Sequence, residues 1–386
     1  MSVRIADVVK KIPRSGIRDF FEIVQSMRDV ISLGIGEPDF ATPWHIREAA
    51  IYSLERGRTG YSSNLGLPRF RCAIAAYIKE NFKVTYEPLT EVLVSVGVSE
   101  AIDIALRALL NPGDEVLYHE PCYVSYSPSI LLAGGVARPI STRWEDDFVL
   151  KAADVESAIG PRTRALLLNF PTNPSGAIMP AEELGRLAAV CVKHDLVVLT
   201  DEIYSELTYD GQPHVSIAAQ PGMKERTVLL HGLSKAFAMT GWRIGFACGP
   251  VEIIEAMMKI HQYSILCAPR MGQEAGIEAL ERGKAAVAGM KREYEMRRNV
   301  IVRSLNDMGL KCFKPRGAFY VFPKVSDTGL SGHDFSMRLL HEHKVAVVPG
   351  NAFGTYCGDH VRCSYATGLD QIKIAMERMA EFVGSL

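Results

Sequence analysis

Charge of one sign is what this chain lacks. Its 386 residues carry 43 Lys and Arg against 44 Asp and Glu, a formal net charge of −1. That balance gives no electrostatic reason to expect nucleic acid or an anionic membrane as a partner. Long apolar runs are missing as well. No stretch reaches the roughly 18 apolar residues of a membrane span, and the opening MSVRIADVVKKIPRSG lacks the apolar stretch of a secretory signal. The eight cysteines are scattered without a CxxC pair, which reads as reduced thiols in a cytoplasmic protein. No GxxxxGK(S/T) phosphate loop and no GxSxG elbow occurs. His341-Glu342-His343 does not have the spacing of a zinc site, so no metal is expected. Low-complexity segments and internal repeats are also absent.

What is present is a globular composition, 48% hydrophobic and 23% charged, in a chain long enough for two domains. Short β-rich runs occur at 91–96, 114–119, 164–169, 195–200, 227–232 and 243–248. Helix-like segments such as 99–110 and 180–195 lie between them. Near-continuous apolar strands alternating with amphipathic helices imply an α/β fold with a mostly parallel sheet covered on both faces. Such sheets bind ligands at the carboxyl ends of their strands. The chemically distinctive residues recur there: Ser99, the stretch Asn169 to Asn173, Asp201 and Lys235 each follow a strand run. After about residue 285 the pattern changes. A charged helix (290–309), strands in GAFYVFPKV and VAVVPG, and a helix over 334–343 suggest a smaller α+β domain. The expected division is a large domain at 46–284 and a small one built from 1–45 with 285–386.

Lys235 stands out. Between Arg226 and Arg243 it is the only side chain certain to be charged in water, and it follows the apolar run Val228-Leu229-Leu230. Poor solvation lowers a lysine pKa and favours Schiff-base chemistry; a lysine whose head snorkels to water is the plain alternative. Asp201, at a strand end in an apolar setting, needs a cationic partner or a proton, such as a protonated pyridine nitrogen, or else it caps a helix. Tyr204 lies three residues on, as a second ligand contact or a core tyrosine. Asn173, in NFPTNPSG, has a donor and an acceptor for a phenolate and a carboxylate, or forms an Asx turn. Gly97-Val98-Ser99 joins a strand to a helix, a natural phosphate site or a simple cap. Arg243 can add a charge-assisted bond to that phosphate, or pair at the surface. Arg362, in DHVRCSYATG, matches a substrate carboxylate with its fork or serves a structural ion pair. Gly34 and Gly36 allow backbone to approach a ligand, or mark a turn.

With NFPTNPSG, TDEIY, SKAFAMTGWRIG and VRCSYA in this order and spacing, the chain resembles the pyridoxal-phosphate-dependent aminotransferases of fold type I, class I/II, from about residue 14 to the C-terminus. The resemblance implies that Lys235 holds pyridoxal 5'-phosphate as a Schiff base and that Asp201 pairs with the pyridine nitrogen. Tyr204 and Asn173 would bond the ring hydroxyl, and Tyr123 would stack on the ring. Val98, Ser99, Ser234 and Arg243 would hold the phosphate. Tyr61 would reach the phosphate of a neighbouring subunit, so a homodimer with shared sites is implied. Arg362, Asn173 and the Gly34–Gly36 backbone would take the substrate carboxylate. Two departures stand out. Gly232 replaces a serine many relatives use for the phosphate. Ser99 stands where some aspartate-preferring relatives place a lysine. Tyr263 and Cys267 of a partner would line the side-chain pocket, with Arg270 nearby as a contact for an acidic side chain.

The implied function is transamination from an L-amino acid to a 2-oxo acid, with 2-oxoglutarate as a plausible acceptor in a ping-pong cycle. A β-lyase acting on cysteine conjugates would use the same site; pyruvate release without an amino acceptor would mark it. A ligand-sensing regulatory module on the same fold would usually carry a DNA-binding extension, and none is expected before residue 14.

Overall fold

The computed structural model describes residues 4–12 and 27–386. Residues 1–3 and 13–26, part of the expected small-domain segment 1–45, lie outside the described residues. A one-turn helix α1 (Asp7–Lys10) and a two-residue strand β1 (Ile31–Ser32) come first, then helices α2 (Trp44–Glu55) and α3 (Pro68–Phe82). The main sheet follows as β2 (Val92–Ser95), β3 (Glu115–Glu120), β4 (Val136–Ser141), β5 (Thr163–Asn169), β6 (Val197–Asp201), β7 (Thr227–Gly232) and β8 (Gly245–Cys248). Helices α4 (Gly97–Leu109), α5 (Tyr126–Leu132), α6 (Ala152–Ala158) and α7 (Ala181–Lys193) are interleaved with them. Every residue of β2, β3, β7 and β8 is buried, as expected of strands covered on both faces. Helix α4 shows the matching helical period: Ala101, Ile102, Ala105 and Leu106 are buried and meet the sheet on one face.

The strand order is β2-β8-β7-β6-β5-β3-β4. All neighbours are parallel except those of β8, which runs antiparallel to both β2 and β7. The sheet is therefore mostly parallel, with one reversed strand. The reason is local: the 233–244 connection holds no crossover helix, and a chain that returns directly can only pair antiparallel. Strand β4 was not among the sequence candidates. Pro139 and Arg138 break its apolar pattern, and both are exposed. The strand survives because it lies at the sheet edge, where a proline is tolerated.

Beyond the sheet come α8 (Val251–Ser264), α9 (Arg270–Arg282) and the long α10 (Lys284–Asp307), which begins earlier than the expected 290. The strand expected in GAFYVFPKV shrinks to β9 (Tyr320–Val321), because Ala318 takes a φ of 57° that breaks the extended run. Helix α11 (Gly332–His343) follows. VAVVPG is two strands, β10 (Val345–Ala346) and β11 (Val348–Pro349), serving different sheets. The former pairs parallel with β1; the latter pairs antiparallel with β12 (Val361–Ser364), which also pairs with β9. Helix α12 (Leu369–Gly384) closes the chain. One buried cluster joins Ile31 and Leu33 to Tyr294, Phe319, Val345 and Cys363, and it also takes Ile203 and Tyr204 from the loop after β6.

The reversed β8 presses on the turn that opens α4. A Cβ added at Gly245 would stand 2.5 Å from the Gly97 carbonyl carbon and 2.6 Å from Val98 N. Both are backbone atoms that cannot swing aside. Gly245→Ala is expected to lower the unfolding free energy by about 1–3 kcal/mol through overpacking, read from denaturant melts. It should also loosen the α4 N-terminus.

Candidate active site

The carboxyl ends of the strands open into a cavity of about 830 Å3. Register places the distinctive residues side by side: Asn169 at the end of β5 pairs with Asp201 at the end of β6. The residues expected to hold the cofactor and the substrate carboxylate line this cavity except Tyr61, while Tyr263, Cys267 and Arg270, expected from a partner, do not line it on this chain. Tyr61 is 81% exposed and outside it.

Asp201 is buried, and no lysine or arginine pairs with it among the described residues. Its Oδ2 accepts from the Tyr126 hydroxyl at 2.7 Å and its Oδ1 from the Ile203 N–H at 3.2 Å. Burial raises its pKa to about 6, against the pull of these two bonds. A carboxylate so placed calls for a cation in the cavity. Lys235 is partly buried and donates from Nζ to the Gly36 carbonyl at 2.7 Å. Burial lowers its pKa to about 8; Glu37 and Asp201 work the other way, while Arg362 and Arg243 reinforce the drop. The snorkelling alternative fails, since the amine faces the cavity between Tyr204 and Phe319, 5.9 and 5.6 Å from their rings.

Arg362 is 3% exposed. Its two terminal nitrogens donate to Asn173 Oδ1 at 2.9 Å and to the Gly34 carbonyl at 2.6 Å. Its Nε is buried without a partner, and the guanidinium carbon lies 4.5 Å from the Tyr320 ring centroid and 4.7 Å from that of Phe353. No carboxylate neutralises it among the described residues, so the structural ion pair is not what is found. Tyr204 donates to or accepts from the Tyr320 hydroxyl at 2.9 Å. A side chain at Gly36 would run into that Tyr320 hydroxyl, so glycine there lets backbone approach the site.

At the far end, Gly97 opens α4 with a φ of 72°, and a Cβ there would stand 2.5 Å from the Arg243 guanidinium. Arg243, itself at φ 55°, is anchored by a bond to the Thr240 carbonyl at 3.1 Å. The N–H groups of the first turn and this exposed guanidinium together suit a phosphate. Gly232 has a steric cause: a Cβ there would lie 2.9 Å from the Ile244 carbonyl oxygen, so a serine would not fit. Arg270 lies off the cavity, 4.0 Å from Glu274. Tyr263 is 88% exposed.

Six lining residues, Ile35, Ile102, Tyr126, Ile203, Thr240 and Tyr320, were not singled out from the sequence. Tyr126 had a signal in its place three residues after Tyr123 in CYVSY; it opens α5, and the two rings are 5.7 Å apart. Tyr320 had none beyond its place in GAFYVF.

A lysine of lowered pKa, a buried carboxylate seeking a cation, a phosphate cradle and an unpaired buried arginine define a site for an aldehyde cofactor with a ring nitrogen and a phosphate. The residues present fit pyridoxal phosphate. The chain belongs to the aminotransferase class I and II family, whose model matches residues 28–379; the family is pyridoxal-phosphate-dependent, and this chain is an amino-acid aminotransferase. It is 44% identical to the aspartate aminotransferase of Pyrococcus abyssi and 43% identical to aromatic-amino-acid aminotransferase 2 of Thermococcus litoralis, with 97% of each chain covered in both cases. The structure of Thermus thermophilus aspartate aminotransferase with maleate superposes with a TM-score of 0.93 at 39% identity, covering 98% of this chain and 100% of that one.

Only the neutral amine can attack an aldehyde. Capture of pyridoxal phosphate by the cofactor-free protein should therefore speed up as pH rises through about 8. Stopped-flow absorbance would follow it. A midpoint near the ordinary lysine value of 10.5 would show a water-exposed amine. Borohydride reduction and peptide mapping should place the label on Lys235.

Proposed function

We propose that this enzyme moves the amino group of an L-amino acid to a 2-oxo acid, with 2-oxoglutarate as an acceptor, in a ping-pong cycle with a broad choice of donor. The observation that carries the reading is Arg362. It is a buried guanidinium without a carboxylate, on the same cavity as the Lys235 amine and the Asp201 carboxylate. A ligand with a carboxylate beside an amine complements that pair.

Pyridoxal phosphate, when bound, supplies an aldehyde for amines and a ring that takes up the electron pair released at the α-carbon. In the proposed site Val98, Ser99, Ser234 and Arg243 hold its phosphate, Tyr123 stacks on its ring, and Tyr204 and Asn173 bond its hydroxyl. Asp201, its oxygens fixed by Tyr126 and Ile203, keeps a proton at the ring nitrogen. Lys235, with its lowered pKa, would be the base that takes the substrate's α-proton and, once protonated, the acid that gives a proton back. Arg362, Asn173 and the Gly34–Gly36 backbone orient the substrate carboxylate. This holds the α-C–H bond in one place, so orientation is supplied by binding rather than found by chance.

The same reading makes the enzyme a cytoplasmic homodimer in which Tyr61 reaches a second subunit's phosphate. Tyr61, Tyr263, Trp44 and Tyr52 are exposed on this chain and are available to a second subunit in this reading. No helix among the described residues is long and apolar enough to cross a membrane. The division at 46–284 and 1–45 with 285–386 is also a proposal; the pairing of β1 with β10 supports it.

Relatives of similar identity are named for aspartate and for aromatic donors. The charges lining the cavity favour breadth: its lysines and arginines are Lys235, Arg243 and Arg362, all already given other work. Among the described residues of this one chain the lining offers a distal carboxylate no further cation, while Ile35 and Ile102 offer apolar surface. Steady-state kinetics with aspartate, alanine, phenylalanine and tyrosine as donors and 2-oxoglutarate as acceptor should give parallel double-reciprocal lines and kcat/KM values of similar order. A preference for aspartate by several orders of magnitude would defeat the broad reading. Arg362→Ala should lower kcat/KM for every donor by a similar factor, about 10- to 100-fold, as loss of a shared charged hydrogen bond predicts. Asp201→Asn should retain the cofactor but lose most of the α-proton exchange, read by deuterium loss in NMR.

A further inference from the structure

We infer that Glu120 is a positioning residue for the substrate-carboxylate pocket, acting as a latch between the turn that carries Tyr123 and the loop that backs Arg362. The inference rests on the reading that Arg362 takes the substrate carboxylate. Glu120 ends β3 and is 7% exposed. No lysine, arginine or histidine pairs with it among the described residues. Its Oε1 accepts from the Tyr118 hydroxyl at 3.0 Å. Its Oε2 accepts from the Thr355 N–H at 3.0 Å and from the Thr355 hydroxyl at 3.2 Å. A carboxylate buried on neutral donors alone is costly to keep, and these three bonds are what holds it there.

Its two ends reach two parts of the site. On one side the chain runs from Glu120 through Pro121 and Cys122 to Tyr123, which lines the cavity. On the other, Thr355 belongs to the loop between β11 and β12, and β12 bears Arg362. The same loop carries Phe353, whose ring backs the guanidinium at 4.7 Å. A second bond runs beside the latch, from the Cys122 N–H to the Phe353 carbonyl at 2.9 Å. Gly354 lies flat on the carboxyl: a Cβ there would stand 2.9 Å from Oε2. Glu120 thus fixes how far the ring-stacking turn stands from the carboxylate-holding arginine, without touching either ligand.

Glu120→Gln keeps the shape but replaces one acceptor with an amide donor, so the latch weakens. In the holoenzyme, KM for phenylalanine should rise about tenfold, the loss of one charge-assisted bond, while kcat falls less than KM rises. Calorimetry with 3-phenylpropanoate, which has the carboxylate but no amine, should show a similar tenfold weakening. Binding of 2-phenylethylamine, which lacks the carboxylate, should stay within twofold. Thr355→Ala, at an exposed position that tolerates change, should weaken 3-phenylpropanoate in the same direction, and the double variant should lose less than the product of the two single losses. Equal weakening of the amine and the carboxylate, or additive losses in the double variant, would overturn the latch; so would unchanged 3-phenylpropanoate binding in both single variants. If instead Arg362→Ala leaves 3-phenylpropanoate binding unchanged, the reading of Arg362 itself fails, which is a separate result.

Discussion

Three largely buried ionisable side chains share one cavity without neutralising one another, and the rest of the site follows from keeping them so. Burial works against charge on each: it raises Asp201 to about 6, lowers Lys235 to about 8 and lowers Arg362 from its usual value. A protein optimised only for stability would pair such groups or replace them with apolar side chains. Here each is held by neutral partners instead. A tyrosine and a backbone N–H serve Asp201, a carbonyl serves Lys235, and an asparagine oxygen and a carbonyl serve Arg362. Neutral partners fix direction without consuming charge. The uncompensated charge is left for a ligand bearing a ring nitrogen, an aldehyde and a carboxylate-bearing substrate.

The fold delivers these groups by strand register and by close backbone approach. Parallel strands end at one edge, so Asn169 and Asp201 come abreast without any special sequence between them. The 233–244 loop then carries Lys235 across the same edge before β8 turns back. That return brings Gly245 against the Gly97 turn, and Arg243 over it. Gly232 and Gly245 are crowded by backbone atoms, and Gly97 holds a φ of 72° that a side chain would strain. The missing serine at 232 is therefore a packing consequence of how tightly β8 and α4 meet, and not a gap in the cradle.

Much of this was legible in the sequence, for reasons that differ by residue. Lys235 could be read because an isolated charge beside an apolar strand has few structural uses. Asp201 and Asn169 could be read from their positions after strand runs, since periodicity locates strands and topology locates their ends. Arg362 became legible only through the family resemblance, because a lone arginine in a β-like segment carries no local sign of being unpaired. The reversal of β8 depended on the absence of a crossover helix, which is a property of the loop rather than of the strand. Strand β4 was hidden because edge strands may carry proline and arginine. Tyr320 and Glu120 act through contacts more than a hundred residues away in sequence, and no local pattern encodes such pairs.

Beneath Asp201 lies a second layer of charge that bears on its ionisation. His231 is fully buried and bonds Glu206 at 2.9 Å and Ser205 at 3.0 Å. Burial alone would raise Glu206, yet His231 and Tyr77 outweigh it and bring the carboxyl down to about 2. Burial alone would lower His231, yet Glu206 outweighs it and the imidazole is raised. His231 also lowers the Asp201 pKa against burial, adding to the larger pull of the bonds from Tyr126 and Ile203. Glu202 opposes this in turn, and its own oxygens are occupied by Thr200, Ser216 and His214. Asp201 sits near the middle of these pulls. A carboxylate held far more strongly would no longer seek a ring proton, and one left to burial alone would be protonated itself. Burial and Glu202 push Asp201 up while Tyr126, Ile203 and His231 pull it down, so it settles at about 6, short of a partner that the proposed ring nitrogen would supply.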